Sequence, residues 1–112
     1  MLLIKETCLY VADLERTRAF YEGKLGLECF SVREGSHVFF RAGESVLLCF
    51  LPEVSREKRH LPPHWGKGVL HYAFEVAHAD YEPWKEKVRA AGIEITHEQL
   101  WGEAQWSIYY DD

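Results

Sequence analysis

Cysteine is scarce in this chain: Cys8, Cys29 and Cys49 are the only three in 112 residues. An odd number with no CxxC spacing argues against a disulfide framework. Each lies in a run that reads as a strand, so all three are expected as buried, reduced thiols of a cytoplasmic protein. Long apolar runs are missing too. The opening Met1-Leu2-Leu3-Ile4 is followed at once by Lys5-Glu6, which is far too short for a signal-peptide core or a membrane span, and a membrane partner is not expected. Positive charge is in deficit: 13 Lys and Arg stand against 18 Asp and Glu, for a net charge of -5, which disfavours a nucleic-acid surface and serves solubility. There is also no Gly-rich phosphate loop, no nucleophile elbow and no HExxH.

What is present is apolar and aromatic. The chain is 47% hydrophobic, with four Trp, six Tyr and six Phe, a composition that excludes disorder. Its length suits a single domain, 1–112, able to bury a core without metal or disulfide staples.

Residues 3–11 alternate as a strand does, with Thr7, Leu9 and Val11 on one face and Glu6, Cys8 and Tyr10 on the other. Asp13 offers a helix N-cap, and Glu15 stands where the helix dipole favours an anion. Leu14, Thr17, Tyr21 and Leu25 recur at helical spacing for about three turns, and Gly26 follows as the C′ residue. Strands are expected at 27–33, 37–41 and 45–51, with turns at Glu34-Gly35-Ser36 and Ala42-Gly43-Glu44. Residues 52–67 change character, carrying Arg56, Lys58 and Arg59, then Leu61-Pro62-Pro63 and Gly66, and read as a linker or flap.

The pattern then begins again. Residues 69–76 alternate His71, Ala73 and Glu75 against Tyr72, Phe74 and Val76. Asp80 is a second N-cap candidate, Tyr81, Trp84, Val88 and Ala91 form a helical stripe, and Gly92 ends it. Strands are expected at 93–97 and 106–110. Aligning Val11 with Val76 places Glu6 on His71, and Gly26 and Gly92 follow at nearly equal distances, which indicates an internal repeat. The fold class expected is α+β: two βαβββ-type repeats, about 3–51 and about 69–112 with a linker at about 52–67. They would form a curved mixed sheet with helices outside, the second repeat lacking its last strand. Thr7, Leu9, Val11, Tyr72, Phe74 and Val76 would pack beneath the helices. Glu6, Cys8, Tyr10, His71, Ala73 and Glu75 would face the other way.

Glu6 and His71 are capable ligands for a hard or borderline divalent cation, and the repeat would bring them together. Read one at a time, an exposed edge-strand Glu and a hydrogen-bonded His are the better reading, and the repeat match brings the metal reading level with it. The pair His60 and His64 has helical metal-site spacing, but Pro62 and Pro63 between them forbid an ordinary helix, so both read as loop. His37, His78 and His97 read as surface or strand-end histidines, and Cys49 as core. Arg56, Lys58 and Arg59 read as a solvated cluster, with closure over an anionic ligand as the alternative.

The segment ETCLYVADLERTRAFYEGKLGLE resembles the opening module of the vicinal oxygen chelate superfamily, the glyoxalase, bleomycin-resistance and extradiol-dioxygenase group. In that module a ligand position precedes V-x-D-L and F-Y-x-x-x-L-G-L, here Glu6, then Val11, Asp13 and Leu14, then Phe20, Tyr21, Leu25, Gly26 and Leu27. GVLHYAFEV is similar to the strand carrying the family's second metal ligand, on His71. SIYYDD is similar to the start of its closing motif, usually followed by P-x-G-N and a metal-binding Glu. This sequence departs from the pattern in carrying Glu6 where His is common, and it ends at Asp112 before the position of the third ligand.

The resemblance implies a divalent metal cofactor held by Glu6 and His71, acting as Lewis acid on a small oxygen-chelating substrate in a lyase, isomerase or transferase reaction. No general base is assigned, although Glu75 and Tyr10 share the predicted face. The alternative it implies is a metal-free, bleomycin-resistance-type protein that sequesters an aromatic or cationic ligand between two subunits, a reading favoured by four Trp and the negative charge. A homodimer is expected on either reading, since the edge left by a missing strand invites pairing.

Overall fold

The computed structural model describes residues 1–103 and 105–112. The chain divides into two compact units, 1–71 and 72–112. No described helix is long and apolar enough to cross a membrane.

The first unit holds a four-stranded mixed sheet. Its strands are β1 (Glu6–Tyr10), β2 (Glu28–Arg33), β3 (His37–Ala42) and β4 (Ser45–Phe50), in the order β1-β4-β3-β2. β2, β3 and β4 form an antiparallel meander around the expected turns, while β1 pairs parallel to β4. A parallel partner needs a crossover. It is supplied by the helix after β1, comprising α1 (Leu14–Arg18) and a π-helical continuation, Ala19–Lys24.

Asp13 caps this helix as its sequence position requires: it is extended, and Oδ1 accepts from the Arg16 N–H at 3.0 Å. The three expected turns are present, but the second half is wound more loosely, with the Leu25 N–H donating to the Phe20 carbonyl at 3.1 Å. Gly26, at φ 77°, takes the left-handed conformation that closes the helix.

Alternation in the strands sorts side chains as expected. On one face Leu9, Val38, Phe40, Leu47 and Cys49 are buried, beneath Thr17, Phe20, Tyr21 and Leu25 of the helix. The Tyr21 and Phe40 rings meet at 5.4 Å. Each large side chain buried here contributes about 1.5–3 kcal/mol, and this layer is the core of the unit. Ladder partners share a face, so the register puts Glu6, Cys8 and Tyr10 on the opposite face with Val46, Leu48, Phe50, His37, Phe39 and Arg41. This second face is called the open face below.

The second unit has α3 (Tyr81–Ala90), entered through a 3-10 turn at His78–Asp80, and a hairpin of β5 (His97–Gly102) and β6 (Gln105–Tyr109). The α3 stripe is as expected, with Val88 3% exposed and Tyr81, Trp84 and Ala91 half-buried. Glu98 of β5 ties the hairpin to α3: it accepts from the Tyr81 hydroxyl at 2.5 Å and from Lys85 Nζ at 2.8 Å.

Four local expectations are corrected. Residues 69–76 are not a strand: they have no ladder partner among the described residues, and an alternating sequence without a neighbour makes no sheet. Val69, Leu70, Phe74 and Val76 are exposed as a result. Asp80 makes no side-chain cap bond, because its φ of -96° and ψ of -2° are helical rather than extended. The strand expected at 93–97 starts at His97, since the Ile93 N–H is still committed to the Val88 carbonyl at 3.2 Å. Finally, of the three free thiols only Cys49 is buried; Cys29 is partly covered and Cys8, on the open face of the edge strand, is exposed.

Candidate functional site

The open face of the first sheet is built in rows. Across one end run Glu6, Val46, Arg41 and Glu28, with Arg41 ion-paired to Glu28 at 3.2 Å. The middle row is Cys8, Leu48, Phe39 and Ser31, and the far row is Tyr10, Phe50, His37 and Arg33. Rings continue from one row to the next: His37 stacks on Phe39 at 3.8 Å and Phe39 meets Phe50 edge-on at 5.3 Å. The β-bulge near Cys29 and Ser31 leaves Phe30 6.0 Å from Phe39, with the Arg41 guanidinium 4.4 Å from its centroid.

Residues 52–67 pack on the far row. They open with a single helical turn, α2 (Pro52–Ser55), whose Pro occupies the position where a helix needs no N–H donor. Ser55, 1% exposed, donates through Oγ to the His64 carbonyl at 2.7 Å, and the His64 N–H returns a bond to the Ser55 carbonyl at 3.3 Å. These bonds carry His64 onto the sheet. Its Nδ1 lies 2.9 Å from the Tyr10 hydroxyl, and its ring meets Phe50 edge-on at 4.5 Å. Gly66 lies so close that a Cβ there would stand 2.5 Å from a Tyr10 ring carbon. Lys58 places Nζ 4.5 Å from the Phe50 centroid. Phe50 is therefore only 3% exposed, although it belongs to the open face.

Electrostatics follow from that packing. Burial lowers the imidazole pKa of His64 and of His37, and the Lys58 charge lowers both further, joined at His37 by Arg33. Partial desolvation against the sheet raises the Cys8 thiol, although the residue is exposed; the Glu6 carboxylate adds to the rise and Lys58 opposes it. The Tyr10 hydroxyl is raised, chiefly by desolvation.

Glu6 is exposed on edge strand β1, on the face that alternation assigned to it. His71 is exposed and stands outside any helix or ladder, as the last residue of the first unit. Their carboxylate oxygen and imidazole nitrogen fit a divalent cation in donor type. They do not fit in number, since among the described residues no group of three His, Cys, Asp and Glu side chains gathers to hold an ion. His60 is exposed and His64 is committed to Tyr10, so those two form no metal pair. His97 bonds Gln99 at 3.1 Å, and His37 bonds Ser31 Oγ at 3.1 Å. Glu75 is exposed in the second unit. What sequence reasoning missed is the Tyr10, His64, Lys58 and His37 cluster. Alternation did put Tyr10 on this face, but no local signal linked it to a loop histidine.

Comparison with known proteins agrees with this architecture. A structure of lactoylglutathione lyase from Agrobacterium tumefaciens superposes with a TM-score of 0.89 at 34% identity, covering 98% of this chain and 85% of that one. FosX, a fosfomycin resistance protein of Listeria monocytogenes crystallised with Mn(II) and a dihydroxypropylphosphonic acid, shares the fold at a TM-score of 0.67 and 22% identity, covering 98% of this chain and 80% of that one. Glutathione transferase FosA of Serratia marcescens is 30% identical over 87 residues, which are 78% of this chain. The chain spans 58% of the length of that curated relative. The family model of the glyoxalase/bleomycin resistance protein/dioxygenase superfamily matches residues 3–109, and with the mixed sheet, the crossover helix and these relatives in agreement, the chain belongs to that superfamily.

Proposed function

We propose that this protein is a metal-dependent enzyme of the glyoxalase type, acting on a small oxygen-chelating substrate as a lyase, isomerase or transferase. The observation that carries the reading is the likeness to lactoylglutathione lyase, at 34% identity over 98% of the chain. On this reading Glu6, presented on the open face, and His71 are the two donors of this chain that would hold the ion. A divalent metal there would supply Lewis-acid polarisation of substrate oxygens. The chain's own residues do the rest: Tyr10 and His64 hold residues 52–67 against the sheet, and the half-buried Phe39 and Leu48, paired across the open face, supply an apolar floor that would exclude water from bound substrate. The functional unit is a homodimer, in which a second copy covers the outer edge of β1, a strand with no partner on that side among the described residues.

Metal-free sequestration of a ligand is the second reading, and the run of rings on the open face favours it. A cationic ligand suits that run poorly, because Arg41 and Lys58 already lie over Phe30 and Phe50. Calorimetric titration with Mn(II) or Zn(II) separates the two readings. Saturable binding to wild type that is lost in both Glu6→Ala and His71→Ala is the expected result. Equal affinity in wild type and His71→Ala removes His71 from the site, and no binding at all, together with ligand quenching of Trp fluorescence in chelator, favours sequestration.

A further inference from the structure

Of the four Lys and Arg in residues 52–67, three are accounted for at the surface, Lys67 being exposed. Arg56 pairs with Glu53 at 3.0 Å and approaches Glu57 at 3.8 Å, and Arg59 is exposed. Lys58 differs. It is half-buried with its ammonium over the Phe50 ring, and among the described residues no carboxylate lies within ion-pair distance of it. In a chain where acids outnumber bases by 18 to 13, a cation drawn in toward the sheet without a counter-charge is unexpected. Removing an ammonium from water costs free energy unless an anion or good acceptors compensate, and a ring face orients the charge without neutralising it.

The surroundings of Lys58 are donors rather than acids. Lys58, His64 and His37 stand around Phe50, at 4.5, 4.5 and 6.1 Å from its ring centre, and the Lys58 charge acts on His37, His64 and Cys8. Arg33 adds positive charge beside His37, while Glu6 acts on Cys8. In the tautomer where the Tyr10 hydroxyl donates to Nδ1 of His64, the ring proton sits on Nε2, and His64 offers a directional N–H. Ser55 fixes the His64 backbone, and Gly66 lies close against the Tyr10 ring.

We propose that Lys58 and His64, with Tyr10 as the residue that positions His64, form a subsite for the oxyanion head group of a small organic ligand: a carboxylate, phosphate or phosphonate. Lys58 supplies the charge and His64 the direction. The identification of that ligand as the substrate rests on the functional reading above; the subsite itself requires no metal.

Titration of the metal-free protein, in chelator, with inorganic phosphate and separately with acetate tests this, read by NMR of the histidine ring protons. Phosphate should shift the His64 and His37 resonances saturably. Lys58→Ala should weaken binding at least about tenfold, as loss of a charge-assisted contact does, while Lys58→Arg should stay within about threefold because the charge is kept. Preference for phosphate over acetate assigns a tetrahedral head group, and the reverse assigns a carboxylate. Lys58→Ala that folds normally by circular dichroism and binds phosphate as wild type does overturns the proposal, as does phosphate affinity that exists only after metal is added. Failure of the metal reading looks different: Mn(II) or Zn(II) binding is absent while Lys58-dependent phosphate binding persists.

Discussion

The Tyr10 hydroxyl lies 2.9 Å from Nδ1 of His64, joining edge strand β1 to a loop 54 residues away. Around this bond are organised the burial of Phe50, the position of Lys58 and the close approach of Gly66.

Gly66→Ala should destabilise the protein by about 1–3 kcal/mol, since the added methyl meets the Tyr10 ring at 2.5 Å and something must shift. Tyr10→Phe keeps the ring and removes only the hydroxyl, for a loss of about 1 kcal/mol. In a Tyr10→Ala background the Gly66→Ala cost should largely vanish, because the clash has gone. Urea denaturation of the single and double variants measures this, and additive losses would mean that residues 64–66 do not rest on Tyr10.

Stability should fall with acidification in two windows. His37 and His64 have folded pKa values depressed below the ordinary 6.5 by burial and by Lys58, so their contribution is complete above that value and is lost as pH falls through the folded values. Glu98 is depressed below 4.5 by hydrogen bonds from Lys85 and Tyr81, so its contribution is lost only at lower pH. Thermal melts against pH should show both declines. His64→Ala should shrink the first and leave the second, and an unchanged first window would detach it from His64.

The three thiols should react in order of exposure. Cys8 should be labelled by an aromatic disulfide reagent in the native protein, Cys29 more slowly, and Cys49 only after unfolding. Cys8 should react slowly at neutral pH and faster as pH rises, because partial desolvation against the sheet, although the residue is exposed, and the Glu6 carboxylate keep its thiol protonated. Peptide mapping of the labelled protein decides this; native-state labelling of Cys49 would contradict its place in the core.

Much of the first unit was legible because its signals are local. Asp13 caps the helix through a bond to a residue three positions on, Gly26 closes it by a backbone conformation that glycine adopts freely, and alternation in β1 sends Leu9 inward and Glu6 outward. Less of the second unit was legible. Alternation at 69–76 is as clear as in β1, yet β1 has β4 beside it and 69–76 has no ladder partner among the described residues. Asp80 has the composition of an N-cap without its conformation. The candidate site divides the same way: alternation placed Glu6 and Tyr10, and repeat symmetry named His71, but nothing in the sequence paired Tyr10 with His64.

By itself, then, the sequence determined the α+β class, the two faces of β1, the helix after it and the superfamily motif, because each depends on spacing along a few turns or strands of backbone. Only the tertiary structure decided which of Arg56, Lys58 and Arg59 turns toward the open face, which of three strand cysteines is exposed, and which histidine meets Tyr10. Those outcomes depend on how distant segments pack, where Pro62-Pro63 and the Ser55 to His64 bonds direct the loop, and no periodicity encodes them.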